Sequence, residues 1–255
     1  MAWNPETYNK FKTERFAPFL DLVALIKIRR DMDVIDLGCG TGELTRKLAD
    51  LLSGSRVLGI DSSDEMLDDA RAFANEQVSF QKKSIEEGVG LESKWDLVFS
   101  NAAIQWVENH ETLFSEIITN IKPGGQLVIQ MPAQHHNVTN QMLLQLSEEE
   151  PFINELSDFK SVSPVLNTED YARILFENGG SEITVYEKIY PLVLKDSNAV
   201  FEWTSGTALP PYVQRLEGES RQQFIDEFKS RLRTKFPGSP AFYPFKRIIL
   251  SALFE

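Results

Sequence analysis

Three glycines alternate with other residues directly behind a short apolar run: Val34-Ile-Asp-Leu37 leads into Gly38-Cys-Gly-Thr-Gly42. A short apolar run bounded by glycine reads as a buried strand, and the segment after it has helical periodicity. A strand that passes straight into a helix through a tight glycine turn is the signature of a βαβ unit in a parallel sheet. Glycine adopts backbone conformations closed to other residues and leaves its main-chain atoms unshielded by a Cβ. The turn therefore reverses the chain and lets another molecule approach the backbone. The helix start at about Gly42 turns its free N–H groups toward the same side.

A second strand, Val57-Leu-Gly-Ile60, ends in Asp61. At this place in a doubly wound sheet a carboxylate accepts hydrogen bonds from ribose hydroxyls. The dinucleotide fingerprint is Gly-x-Gly-x-x-Gly, with a pyrophosphate resting on the helix start. Here the spacing is Gly38-x-Gly40-x-Gly42, and Asp36 precedes it. An acid beside the loop repels a pyrophosphate and suits an ammonium or sulfonium ligand. A nicotinamide-dependent dehydrogenase is thereby disfavoured.

On these residues the chain resembles the class I S-adenosylmethionine-dependent methyltransferases. The likeness rests on Asp36-Leu-Gly-Cys-Gly-Thr-Gly42, Gly59-Ile-Asp-Ser-Ser63 and Met66, and covers residues 33–132. A narrower set reaches nearly the whole chain: Trp3-Asn-Pro5 with Tyr8, Phe11 and Glu14-Arg15; Asn101-Ala-Ala-Ile-Gln-Trp106; Gln130-Met-Pro132; Trp203-Thr-Ser-Gly-Thr207; Pro244-Phe245. That set is similar to the trans-aconitate methyltransferases. The resemblance implies an α/β fold with a doubly wound, mostly parallel seven-stranded sheet, and S-adenosyl-L-methionine as cofactor. It also implies O-methylation of one carboxylate of a small polycarboxylic acid.

Residue roles follow from the same likeness. Gly38 and Gly40 pack against the methionine part of the cofactor, with Asp36 near its ammonium and Asp61 on the ribose. Ser62 and Met66 line the adenine, and Ile85 stacks on it. Related enzymes place an Asp against the adenine amine where this chain has Ser84, which accepts that hydrogen bond without charge. Asn101 orients the amino-acid end. Tyr8 and Arg15 lie seven residues apart on one face of an N-terminal helix that folds over the cofactor, Arg15 gripping its carboxylate. Trp3, Phe11 and Trp106 surround the cleft, where aromatic faces stabilise a sulfonium. By its position after the fifth strand, and not from the likeness, His135 with His136 is a further candidate to touch the acceptor. Each of these side chains also has a packing or surface reading that sequence leaves open.

Composition narrows the partners. The net charge of −12 gives no general attraction for nucleic acid. Residues 212–247 are the locally basic stretch and carry Arg215, Arg221, Arg231, Arg233 and Arg247. This favours an anionic acceptor, with Arg247 and Tyr243 as its expected contacts. A single cysteine, Cys39, excludes an internal disulfide and fits a reducing cytoplasm. No apolar run approaches a membrane span, and the N-terminus is too polar for a signal peptide. The oligomeric state stays open, a monomer included.

The organisation expected is one domain over residues 1–255. Residues 1–30 form a helical cover, with the helix itself over 5–28, and 33–132 form the cofactor core. Strands fall near 33–38, 56–61, 78–82, 95–101, 125–131, 182–194 and 245–254. Helices fall near 42–52, 64–75, 110–120, 137–160 and 168–178, with Asp64 as an N-cap and a turn at Lys122-Pro-Gly-Gly125. Residues 196–240 read as a helical cap inserted before the last strand, over the carboxyl ends of the strands. Transfer from a sulfonium to an ionised carboxylate needs alignment rather than a base. The chain shows no convincing nucleophile, base or metal cluster. Two other readings share the core motif: a methyltransferase for malonyl groups on acyl carrier protein, and a cofactor-binding module without catalysis.

Overall fold

A computed structural model describes residues 12–90, 94–156, 159 and 163–255, with side chains from Phe16 onward. The expected roles of Trp3, Tyr8, Phe11 and the Arg15 side chain lie outside the described residues.

The chain divides into two compact units. One holds Ala17–Pro132, Pro164–Lys188 and Arg247–Glu255. Its strands are β1 (Asp33–Leu37), β2 (Arg56–Asp61), β3 (Val78–Lys82), β4 (Trp95–Asn101) and β5 (Ile121–Pro132). They alternate with helices α2 (Glu43–Leu51), α3 (Asp64–Ala70), α4 (Ile85–Val89) and α5 (His110–Thr119), after α1 (Lys12–Val23). β6 (Gly180–Leu194) and β7 (Ala241–Phe254) complete a seven-stranded sheet in the order β3-β2-β1-β4-β5-β7-β6. Neighbours from β3 to β5 pair in parallel, and β7 runs antiparallel to β5. Both faces of the central strands are covered, so Val34, Ile35, Leu97, Val98, Leu127 and Val128 are all buried. The strand order reverses between β1 and β4, which opens a crevice at their carboxyl ends. At the opposite ends Lys122 bridges Asp33 and Asp96 at 2.7 Å each and holds both carboxyls below the usual range.

The other unit holds Ala133–Ser163 and Ile189–Lys246 besides the first residues. It contains α6 (Val138–Ser147), α7 (Phe152–Glu155), α9 (Ser197–Ser205), α10 (Pro210–Val213) and α11 (Gly218–Lys235), while α8 (Thr168–Glu177) belongs to the sheet unit. It has a core of its own. On α11, Phe224, Phe228 and Leu232 fall one turn apart and meet Leu143, Trp203, Tyr212 and Tyr243. Asp196 caps α9 by accepting from the N–H groups of Asn198 and Ala199. Pro210 and Pro211 open α10, where a missing N–H costs nothing. Among the described residues no helix is long and apolar enough to cross a membrane.

Several boundaries differ from expectation for physical reasons. α1 stops at Val23 rather than 28, because the buried amide of Gln126 donates to Leu25 O and accepts from Lys27 N–H. Residues 122–125 lie inside β5 as a bulge, since β4 pairs Trp95 with Ile121 and then Leu97 with Gln126. The single helix over 137–160 is two, α6 and α7, interrupted ahead of Pro151. Ser63, not Asp64, is the N-cap of α3.

Candidate cofactor and acceptor site

The glycine turn is built on the end of β2. Gly38 and Cys39 both donate their N–H to Ile60 O at 2.9 Å. Gly38, Gly40 and Gly42 all have positive φ, at 79°, 53° and 74°, the region only glycine enters freely. Their surroundings separate their tasks. A Cβ on Gly38 would stand 2.1 Å from the Cβ of Ala103, so this glycine lets the loop after β4 close in. A Cβ on Gly42 would meet the Phe80 ring at 2.7 Å, and one on Gly59 would meet the same ring at 2.7 Å. Gly40 alone of the three meets nothing within 4 Å, so its bare backbone borders open space.

Two carboxylates flank that space. Asp61 accepts from Gly40 N–H at 3.0 Å and from Ser63 N–H at 2.9 Å, one bond to each oxygen. It thus ties the loop to the start of α3, and each oxygen keeps a lone pair for another donor. Asp36 is buried on β1 and accepts from the Thr45 hydroxyl at 2.6 Å through one oxygen. Its other oxygen, Oδ1, has no hydrogen-bond partner. Burial, opposed by the Thr45 bond and assisted by the charge of Asp61, pushes the Asp36 carboxyl up to about 7. A buried acceptor left open beside a second carboxylate fits a cationic group. The ammonium and sulfonium of S-adenosyl-L-methionine are such groups, so the residues present fit that cofactor.

The remaining cofactor candidates gather on the same edge. Ile85 is buried, with its Cδ1 3.9 Å from the Cβ position of Gly38. The Ser84 hydroxyl accepts from Glu87 N–H, and the Glu87 carboxylate accepts from Ser84 N–H. That reciprocal pair starts α4, a helix absent from the expected elements although Ser-x-x-Glu signals its start. Ser62 is exposed and Met66 half-buried on α3, whose cap is the Ser63 hydroxyl. Asn101 ends β4, with its Oδ1 accepting from Gln130 Nε2 at 2.6 Å. Cys39 is buried against Leu67, Ala70 and Phe80, and burial raises its thiol far above neutrality.

The acceptor candidates fall in both units. Trp106 is 65% exposed in a 3₁₀ turn, Ile104–Trp106. Next to it the buried His110 donates from Nε2 to Ile104 O at 3.1 Å and accepts from the Tyr171 hydroxyl at Nδ1, burial keeping the ring neutral. Arg247 is buried on β7, and its Nη1 donates to Gln130 Oε1 at 2.8 Å. In the other unit His135 is exposed, and Tyr243 lies in the core with its hydroxyl 2.8 Å from Thr139 Oγ1. Gln130, expected only as part of the Gln130-Met-Pro132 motif, links Asn101 to Arg247. Among the described residues no group of acids, histidines and cysteine is placed to hold a metal ion.

The doubly wound sheet and the glycine turn are the frame of an S-adenosylmethionine-dependent methyltransferase, the class to which the family model and the relatives assign the chain. The Methyltransferase domain family matches residues 28–180. A trans-aconitate 2-methyltransferase of Deinococcus radiodurans is 40% identical over 258 residues, covering 99% of this chain and 98% of the relative. One from Mycobacterium tuberculosis is 32% identical, covering 98% of this chain and 96% of its own. In fold, the chain is similar to a Haemonchus contortus phosphoethanolamine N-methyltransferase 2 solved with S-adenosyl-L-methionine. That match has a TM-score of 0.56 at 20% identity and covers 95% of this chain and 52% of that one. The chain belongs to the trans-aconitate 2-methyltransferase family.

Proposed function

We propose that the chain methylates one carboxylate of trans-aconitate, or of a small polycarboxylic acid like it, to a methyl ester. The observation that carries this reading is 40% identity to a trans-aconitate 2-methyltransferase along 99% of the chain. The site chemistry supports it. When bound, S-adenosyl-L-methionine supplies a methyl already activated on sulfur, with a neutral thioether as leaving group. Asp36 and Asp61 hold the cationic nucleoside, and the open backbone at Gly40 lets it seat closely. The acceptor carboxylate is ionised at neutral pH, so no side chain must remove a proton. What the protein contributes is placement of the two reactants in line and exclusion of water, worth up to about 7–11 kcal/mol when ideal. The single cysteine, Cys39, buried and reduced, supports work in the cytoplasm.

Purified protein supplied with methyl-labelled cofactor and trans-aconitate should yield a labelled product whose counts are released by mild alkali. Alkali-stable product, or no transfer to any acid of a di- and tricarboxylate panel by protein that binds the cofactor, would overturn the assignment.

A further inference from the structure

Arg247, Gln130 and Asn101 form a hydrogen-bonded chain whose direction is fixed from one end. A guanidinium has five N–H donors and no acceptor. Arg247 Nη1, 2.8 Å from the Gln130 side chain, therefore requires the carbonyl oxygen of that amide to face it. The Gln130 NH₂ then points the other way and donates to Asn101 Oδ1 at 2.6 Å. Gln130 is 1% exposed, so water does not compete for either end. Backbone pairing holds the two amides opposite one another, since Asn101 and Gln130 are register partners on β4 and β5. Ala102 N–H also donates to Gln130 O at 2.9 Å. The consequence falls on Asn101. Its oxygen is used, and its Nδ2 makes no hydrogen bond to any described residue. Asn101 is half-buried at the carboxyl end of the central strand, where the crevice opens.

We propose that Gln130 and Arg247 are positioning residues that lock the Asn101 amide with its NH₂ toward the crevice, where it binds a carboxylate oxygen. Without the guanidinium the two amides are equally comfortable with both flipped, and Asn101 presents an oxygen that repels a carboxylate. The inference rests on the methyltransferase reading. That chemistry offers two carboxylates, one on the amino-acid end of the cofactor and one on the acceptor.

The decisive variant is Gln130→Glu in the full-length chain. It keeps a partner for Arg247 but offers only acceptors, so Asn101 must turn over and donate to it. Calorimetry then measures Kd for S-adenosylmethionine, for decarboxylated S-adenosylmethionine, and for trans-aconitate in the presence of S-adenosylhomocysteine. A hydrogen bond to a charged group is lost, so one of these should weaken roughly 10- to 100-fold. If the cofactor carboxylate is the ligand, S-adenosylmethionine weakens and the decarboxylated form does not. If the acceptor carboxylate is, trans-aconitate weakens and both cofactors hold. In an Asn101→Ala background the same change should matter less than about twofold, because its route is gone. Gln130→Met, which cuts the chain without adding charge, is the second probe should the glutamate variant misfold. It should cost roughly three- to tenfold, since a freed amide can face either way. Unchanged Kd values in Gln130→Glu or Gln130→Met, or losses that persist undiminished without Asn101, overturn the proposal. Failure of the unaltered chain to bind any acid while the cofactor effect appears would remove the acceptor assignment and leave this inference standing.

Discussion

Leucine at Gly40 will abolish cofactor binding while the protein stays folded. The structure has room for the side chain, because a Cβ there meets nothing within 4 Å. The backbone sits at φ 53°, which costs a non-glycine residue roughly 1–2 kcal/mol, well inside the stability of an ordinary domain. The side chain fills the space that the nucleoside needs, and an affinity loss of about a thousandfold or more, on the order of 4 kcal/mol, is expected. A thermal-shift titration reads both quantities at once: a melting temperature near that of the unaltered chain, and no upward shift with cofactor. Alanine at Gly38, two residues earlier, should do the reverse. Its Cβ would stand 2.1 Å from that of Ala103, so it should lower the melting temperature before any ligand is added. Normal cofactor response from Gly40→Leu would remove the glycine turn from the binding site.

Asp36→Asn should weaken cofactor binding by about 100-fold at pH 8, the loss of one partly buried charge pair with the ligand. The pH profile carries the sharper signature. Burial pushes the Asp36 carboxyl up to about 7, so in the free protein the proton is held at pH 6 and gone at pH 8. A cationic ligand favours the ionised form. Affinity should therefore rise as pH climbs through 7 and level off above it, with a proton released on binding below 7. Stability of the free protein runs the opposite way. The folded state keeps a proton that the unfolded chain loses near 4, so stability falls as pH rises from about 4 to 7 and is flat beyond. Asp36→Asn should flatten the affinity profile. Calorimetry in buffers of different ionisation enthalpy counts the protons. An unaltered slope in the variant would assign the titration elsewhere. His110, neutral between Tyr171 and Ile104 O, is not its source.

How much of this was legible follows from the range of the interactions involved. β1, the glycine turn and Asp61 are local: apolar runs, glycine spacing and a terminal acid are all visible within a few residues, and they fall where expected. The end of α1 is not local, because the groups that stop it bond to Gln126, about a hundred residues away. Nor is the bulge at 122–125, which exists only against β4. α4 has a local signal in its capping pair Ser84 and Glu87, but its 5 residues are too few for helical periodicity to show. At the site, the acids and glycines announced themselves by type. The chain from Arg247 through Gln130 to Asn101 could not, since it joins three strands and its meaning lies in which end of an amide faces which.

One aromatic ring and two glycines share a single volume. Phe80 occupies the places where side chains at Gly42 and Gly59 would begin. Gly59, on β2, has no positive φ and is glycine for want of space alone. Its replacement and the trimming of its neighbour should therefore be traded rather than summed. Phe80→Ala leaves a hollow, and Gly59→Ala an overlap with the ring and, at 2.9 Å, with the Cys39 Cβ; trimming the ring relieves the first of these, so the two changes together should unfold at a higher temperature than their separate penalties would give. A shortage of room at one position becomes, with its neighbour, an exchangeable allotment that directed evolution of this enzyme can redistribute.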